Sequence, residues 1–489
     1  MVRKLIVIGI DGMDYDVVKR HEDILPNISK MMGQWSYPRL RSVFPADTTP
    51  AWSTIFTGMD PSEHGIINFV NVGDRENRYK PISFEDDVFR GKTFWDELSR
   101  QGYRCAVLFP MNIKHGWDPG GVMITRPYEG KIRVIPEDKE KVYSPNAEIL
   151  CSEMKFTSEK SLGALRDDFI AKSNEEFRIT KAVVENEDVD LLFTYFSAVD
   201  GIQHDFWRHY DESHPEYPGE SRFNNVIPGM YRLADGFVGE LAQMCPDTPI
   251  LVISDHGHGA RPVYVARVNE MLRRGGFLAP KSSDGKKSGG GVKKLIKKTA
   301  LGFVKKFGLP GPVVKLAKKI PVWKSLFASS ADFDWSKTVA YLSDLSALKN
   351  YSYGGIRLRA DAAKSQAEKD ALCDRIIDYL KDIRIPDEDI PAFQWIKRTN
   401  NVYSGEHIDR YPEIIFQLDE RYGADWNLGN SLFEKQGGFM HRLSPGAHRY
   451  ETAVIASRGI ELDRGQYEMT DIYKIVLGCF ANADNGETH

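Results

Sequence analysis

The sequence predicts an α/β protein: a mostly parallel sheet flanked by helices, with a cap region inserted into it. Three observations carry that expectation. Apolar runs of five or six residues end at Gly, Pro, Asp or a charged residue: Leu5–Ile10, Cys105–Phe109, Leu191–Phe196, Ile250–Ser254 and Thr452–Ala456. Runs apolar on both faces suit central strands covered by helices on both sides. Between them lie segments with helical apolar spacing, Lys92–Gly102, Asn174–Glu187 and Met230–Met244, and strand–helix alternation marks an open parallel sheet. Third, the lysine-rich stretch Lys281–Lys324 breaks the alternation, and it lies in a segment of about 263–400 between two Asp/His spots. The expected division is a core of 1–262 and 401–489 with the cap, 263–400, between them.

The first element follows the start "MVRKLIVIGIDG". It has the charged beginning of a signal peptide, but its apolar part is short and runs into Asp11 with no small-residue cleavage site. It reads as a buried strand, and a cytoplasmic location is expected. No apolar run approaches the roughly 20 residues of a membrane span. The five cysteines are scattered and form no C-x-x-C, which suits a reducing compartment and argues against a thiolate metal site. Hydrophobic residues make up 42% of the 489, enough for a sizeable core; disordered, collagen-like and disulfide-scaffold classes are excluded.

The net charge of −4 conceals an uneven distribution. Twelve lysines fall within Lys286–Lys324, and no Asp or Glu stands between Asp284 and Asp332. The remaining chain therefore carries −16. Val292, Leu295, Ile296, Thr299, Phe303, Val304 and Phe307 share one helical face opposite the lysines. Such a segment either packs its apolar face on the core and leaves its lysines to solvent, or meets an anionic membrane surface or a polyanionic substrate; contact with a membrane would make the protein peripheral there. After it, "GGIRLR" and "PEIIFQL" read as strands and "KSQAEKDALCDRIIDYLKDI" as a helix.

Ligands of open α/β sheets bind beyond the carboxyl ends of the strands, and four spots there carry Asp and His. Asp11 follows the first strand. Asp200 and His204 follow "LLFTYF" and share a face if that segment is helical. Asp255 and His256 end a strand in a glycine-rich turn, where irregular backbone lets neighbours face one ion. His448 precedes the last strand. Three Asp and three His suit Zn or Mn, and six ligands divide into the two triads of a two-metal hydrolytic site. A nucleophile is available in "DTTPAW", where Pro50 sets a helix start around Pro50–Trp52 and Thr48 or Thr49 precedes it. His258 is expected beside the metals rather than on them, His64 in a structural role, and Asp205, His209 and His214 at the surface or rim. Arg442 is a candidate phosphate contact.

Taken in order, GIDG (9–12), TTPAW (48–52), EHGI (63–66), VDGIQH (199–204), SDHGHG (254–259) and GAHR (446–449) resemble the alkaline phosphatase superfamily. The likeness is to its type I phosphodiesterase/nucleotide pyrophosphatase branch. The resemblance implies an alkaline-phosphatase-like core and a metal-dependent phosphoric ester hydrolase with two divalent ions. Asp11, Asp255 and His256 would bind one ion together with Thr48, and Asp200, His204 and His448 the other. Thr48, two residues before the proline, would be the nucleophile and form a phospho-threonine; Thr49 is the second choice. The substrate would be a phosphorylated small molecule, lipid or glycan, with a diester preferred. A phosphomonoesterase or phosphomutase, or a non-catalytic binder, are the alternatives. A nucleic-acid polymer is not an expected partner. Where the pyrophosphatases have Phe-Pro-Asn-His after the nucleophile, Ala51 and Trp52 stand in the last two places, so nucleotides are not a necessary substrate.

Overall fold

The computed structural model describes residues 2–33, 39–69, 85–152, 161–281, 333–343, 345, 350–435, 444–463 and 465–484. The Lys286–Lys324 stretch, His441 and Arg442 lie outside the described residues.

Strands used below are β1 (Val2–Ile10), β2 (Cys105–Leu108), β3 (Val122–Ile124), β4 (Val134–Ile135), β5 (Val189–Phe196), β6 (Ile250–Ile253) and β7 (Gly257–Ala260). They continue with β8 (Ala340–Leu342), β9 (Tyr353–Leu358), β10 (Phe393–Arg398), β11 (Ile414–Leu418), β12 (Gly446–Arg449) and β13 (Ile455–Arg458). Seven form the main sheet in the order β13-β6-β1-β5-β2-β3-β4. Its five inner strands run parallel, and both edge strands, β13 and β4, are antiparallel. Parallel strands need cover on both faces, and β5 is buried at all eight positions. The last strand falls later than expected, at Ile455–Arg458 rather than Thr452–Ala456, with Ile455 opposite Ile253.

The helices that matter here are α1 (Thr48–Thr57), α2 (Phe94–Arg100), α3 (Leu162–Asn186), α4 (Ala198–Tyr210), α5 (Val226–Met244) and α6 (Gln366–Lys381). A Thr93–Asp96 capping box opens α2. α3 starts well before the expected Asn174. α1 begins at Thr48 rather than around Pro50, because Asp47 is its N-cap and accepts from the Thr49 amide at 3.4 Å.

Trp52 anchors α1 to the sheet. Fully buried, it meets Tyr195 edge-on at 5.0 Å between ring centres and lies near Phe193 and Phe56. Ala51 is buried beside it. The two residues that depart from the pyrophosphatase pattern are thus core residues. Their neighbour across the interface is Gly9 of β1, where an added Cβ would lie 2.5 Å from Trp52 Cη2. Gly9→Ala is therefore expected to destabilise the fold by about 1–3 kcal/mol through overpacking. A urea midpoint equal to wild type would contradict this.

A second hydrophobic core, running in sequence from Ala266 to Ala424, belongs to the inserted unit. Its antiparallel sheet has the order β8-β9-β11-β10, and Leu372, Ile376 and Leu380 of α6 join that core. The sheet includes β11, which lies beyond position 400: Phe416 stands opposite Ile396 and Ile414 opposite Ile356, and all four belong to the same core. A third cluster joins the two units: Phe44, Ala46 and Ala447 pack with Tyr351, Tyr353 and Tyr411.

Candidate metal centre

The chemistry-bearing residues gather where the parallel strands end. Asp11 directly follows β1, and Gly12 comes next at φ +65. Its amide donates to Asp255 Oδ1 at 3.0 Å, and a Cβ there would lie 2.9 Å from Asp200. Only glycine combines that backbone with that approach. Asp200 and His204 lie one turn apart on α4, as the spacing required. Asp255 and His256 occupy the turn between β6 and β7. His448 stands within β12 itself, and β12 pairs with β7 so that His448 is opposite His258. That ribbon carries the last histidine into the cluster.

Two groups result. In one, His256 Nε2 lies 3.3 Å from Asp255 Oδ2, 3.6 Å from Asp11 Oδ1 and 3.1 Å from Thr48 Oγ1. In the other, Asp200 lies 3.4 Å from His204 Nε2 and 3.5 Å from His448 Nε2, and the two imidazole Nε2 atoms are 2.9 Å apart. His258 Nδ1 is 3.2 Å from Asp200 Oδ1, and Trp207 stacks on its ring. Thr48 heads α1 and is half-buried. Thr49 is buried, and its carbonyl accepts from Ser53 and Asn112.

Divalent cations fit these residues on three counts. The Nδ1–H groups of His204, His256 and His448 donate to the carbonyls of Gly446, Gly257 and Ala46, at 3.3, 3.0 and 2.9 Å. That tautomer turns each Nε2 lone pair toward the carboxylates, as in metal-ligating histidines. Asp11 Oδ1 and Asp255 Oδ2 are buried without a hydrogen bond among the described residues, a costly arrangement unless a cation answers it. Finally, donor separations of 2.9–3.6 Å bracket the edge of a tetrahedron around an ion at zinc–ligand distances, about 3.3 Å.

The electrostatics are uneven. Burial, then the neighbouring charges of Asp255 and Asp200, push Asp11 well above the usual carboxylate range. Burial does the same to Asp255. For Asp200 burial is outweighed by His204, His258 and His448, which hold its carboxyl well below that range. The Tyr195 hydroxyl donates to Asp11 Oδ2, a contact not anticipated from sequence. His64 takes the structural role expected: Nδ1 accepts from the Ile66 amide at 3.1 Å and Nε2 lies 3.0 Å from Thr54 Oγ1. Burial lowers its pKa to about 3. His209 and His214 are not at the surface; both are buried, and His209 packs edge-on against Phe223.

Comparison with known proteins adds a lineage. Residues 5–438 match the family described as type I phosphodiesterase / nucleotide pyrophosphatase. A stretch of 110 residues is 26% identical to a venom phosphodiesterase of Macrovipera lebetinus, covering 22% of this chain and 13% of that protein. A stretch of 109 residues is 26% identical to human ectonucleotide pyrophosphatase/phosphodiesterase family member 1, covering 21% and 12%. These matches thus span only a small part of the curated relatives' length. Among solved structures, human ectonucleotide pyrophosphatase / phosphodiesterase 5 aligns with TM-score 0.48 at 14% identity, over 98% of this chain and 95% of that one. A phosphonoacetate hydrolase from Sinorhizobium meliloti aligns with TM-score 0.49 at 14% identity, over 98% and 96%.

Proposed function

The chain belongs to the type I phosphodiesterase / nucleotide pyrophosphatase family, and from that premise we propose that it is a two-metal phosphodiesterase acting through Thr48. The observation that carries this reading is the placement of Thr48 Oγ1, at the head of α1 and 3.1 Å from His256 Nε2 beside Asp11 and Asp255. Asp11, Asp255, His256 and Thr48 would hold one divalent ion and Asp200, His204 and His448 the other, with Zn or Mn suited to the donors. When bound, such ions lower the pKa of a hydroxyl and offset phosphoryl charge.

The chain's own part follows from where its groups stand. The Thr48 oxygen bonds to phosphorus as the bond to the leaving alcohol breaks, giving a phospho-threonine. Water then cleaves the oxygen–phosphorus bond and restores the hydroxyl. The first amides of α1, with the helix dipole, favour the phosphoryl oxygens at that spot. Asp47 fixes the helix start, and Trp52 fixes the helix on the sheet, so the nucleophile is held by buried structure. The expected result is a higher kcat/KM for bis(p-nitrophenyl) phosphate than for p-nitrophenyl phosphate, abolished by EDTA. A reversed preference would favour the phosphomonoesterase reading, and no turnover with metals bound would favour a binder.

Location is part of the same proposal: a cytoplasmic protein resting peripherally on anionic membrane through Lys286–Lys324. Its support is the one-signed charge of that stretch and the helical spacing of the apolar residues in its sequence. No helix among the described residues is long and apolar enough to cross a membrane. Full-length protein should sediment with vesicles containing phosphatidylserine and not with phosphatidylcholine alone. Equal partitioning of wild type and a 286–324 deletion would refute this.

A further inference from the structure

We propose that a cavity at the junction of the core and the inserted unit, apart from the metal centre, is a second binding site, one that takes the dianionic phosphoryl group of a small organic phosphate on Lys92 and Arg410. The cavity has a volume of about 690 Å³, within the roughly 300–1,000 Å³ of small-molecule sites, which favour the junction of two units. One wall belongs to the core and includes Ile66 and Lys92; the other is the 405–410 loop between β10 and β11. No metal-centre residue is among its described lining residues. His64, in the core wall, meets Thr54 of α1, six residues past Thr48 and so about 9 Å further along that helix at 1.5 Å per residue. The site therefore stands whether or not the chain is a hydrolase.

The two walls are built against each other. The Gly405 amide donates to Ser62 Oγ and the His407 amide to the Ser62 carbonyl, both at 2.8 Å. Gly65, at φ +76, faces the opposite wall: a Cβ there would lie 2.6 Å from Arg410 Nη1 and 2.7 Å from His407 Cδ2. Arg410 Nη1 donates to the Gly65 carbonyl at 2.6 Å. One bond thus holds the guanidinium at the cavity, and among the described residues its other N–H groups and the Lys92 ammonium have no hydrogen-bond or carboxylate partner. Two carboxylates also line the cavity, and both are otherwise placed. Glu63 Oε2 accepts from the Asp60 amide at 2.7 Å in a capping box. Glu406 lies 3.4 Å from His407 Nε2, with its side chain 79% exposed. Two cations without a counter-charge suit one group carrying two negative charges, and a tetrahedral phosphoryl accepts from a guanidinium fork and an ammonium together. Met59, Ile66 and Val88 offer apolar surface in the same cavity for the organic part.

Hydrogen exchange read by mass spectrometry on metal-loaded, full-length protein at pH 8 tests this, with phenylphosphonate as the probe. At that pH it is a dianion, its ring suits the apolar surface, and it has no ester bond to cleave. Benzenesulfonate, of the same shape with one charge, is the control. Phenylphosphonate should slow exchange in segments 59–66 and 403–411, because a ligand bridging the walls keeps the Gly405 and His407 amides closed. Lys92→Gln should raise the half-effect concentration there about tenfold or more, the scale of a hydrogen bond to a charged group, and benzenesulfonate should need a similar excess. The Lys92 ammonium has no contact to lose, so Lys92→Gln should keep the wild-type melting temperature and diester turnover. Arg410→Lys, which keeps the charge and gives up the fork, should retain part of the protection. Protection confined to the metal-centre segments, an unchanged half-effect concentration in Lys92→Gln, or equal binding of benzenesulfonate would overturn the assignment. Junction protection without any diester turnover would count against the hydrolase reading alone.

Discussion

Thr48→Ala should leave a folded, metal-loaded protein with turnover of bis(p-nitrophenyl) phosphate reduced by about a thousandfold or more, the scale of losing a covalent nucleophile. The substitution removes the one hydroxyl that stands 3.1 Å from His256 Nε2. It leaves the helix start intact, since the N-cap is the Asp47 side chain. It leaves Asp11, Asp255 and His256 in place, so metal content should stay near wild type. Thr48→Ser retains an oxygen on a freer rotor and should recover a substantial part of the rate. Thr49→Ala, at a buried position whose carbonyl rather than side chain makes the described bonds to Ser53 and Asn112, should cost far less. Activity of Thr48→Ala within tenfold of wild type would sink the nucleophile assignment. Loss of metal together with activity would show instead that Thr48 acts mainly as a ligand.

Part of this centre was legible in the residues because its spacing is local. Asp200 and His204 meet on one helical turn, and Asp255 and His256 sit in a turn whose glycines announce irregular backbone. Family likeness supplied the long-range grouping, which no local pattern contains. The reach of His448 into the cluster depends on β7 pairing with β12, nearly two hundred residues apart, and neither strand has the apolar alternation that marks a strand by itself. The helix at Thr48 was placed late because Pro50 drew the boundary, whereas Asp47 supplies the cap. Tyr195 reads as one more apolar strand residue; only the neighbouring β1 and β5 ends show its hydroxyl meeting Asp11. β11, read from sequence only as an isolated strand, completes an antiparallel sheet, and sheet membership is settled by the partner strand rather than by the run itself.

The stability lost on removing the metals should grow as pH rises. In the metal-free fold Asp11 and Asp255 have carboxyl groups raised well above the ordinary range, by burial and, for Asp11, by its acidic neighbours. A group raised on folding contributes fully below its unfolded pKa, about 3.9 for Asp, and loses that contribution as pH climbs toward its folded value. Asp200 has the reverse sign. Held low by three imidazoles, it contributes above about 3.9 and loses that contribution at lower pH. Between pH 5 and 8 the two raised carboxylates of the metal-free fold lose their contribution. Through that range the buried histidines His64 and His209, lowered to about 3 and about 4, act with the opposite sign in loaded and metal-free protein alike, so the readout is the difference between the two rather than the metal-free melting temperature itself. Metal-loaded protein should not share the carboxylates' loss, because cations answer those charges and bind more tightly as protons leave the ligands. Each ion at a hundredfold over its Kd contributes about 2.7 kcal/mol, and the gap between loaded and EDTA-treated melting curves should widen with pH. Asp255→Asn sharpens the test: its amide oxygen can still accept from the Gly12 amide, yet one buried charge is gone. Metal-free Asp255→Asn should therefore melt above metal-free wild type at pH 8, while binding fewer ions. A pH-independent gap, or a variant that melts lower than wild type when both lack metal, would mean that these carboxylates are not held against each other for a cation.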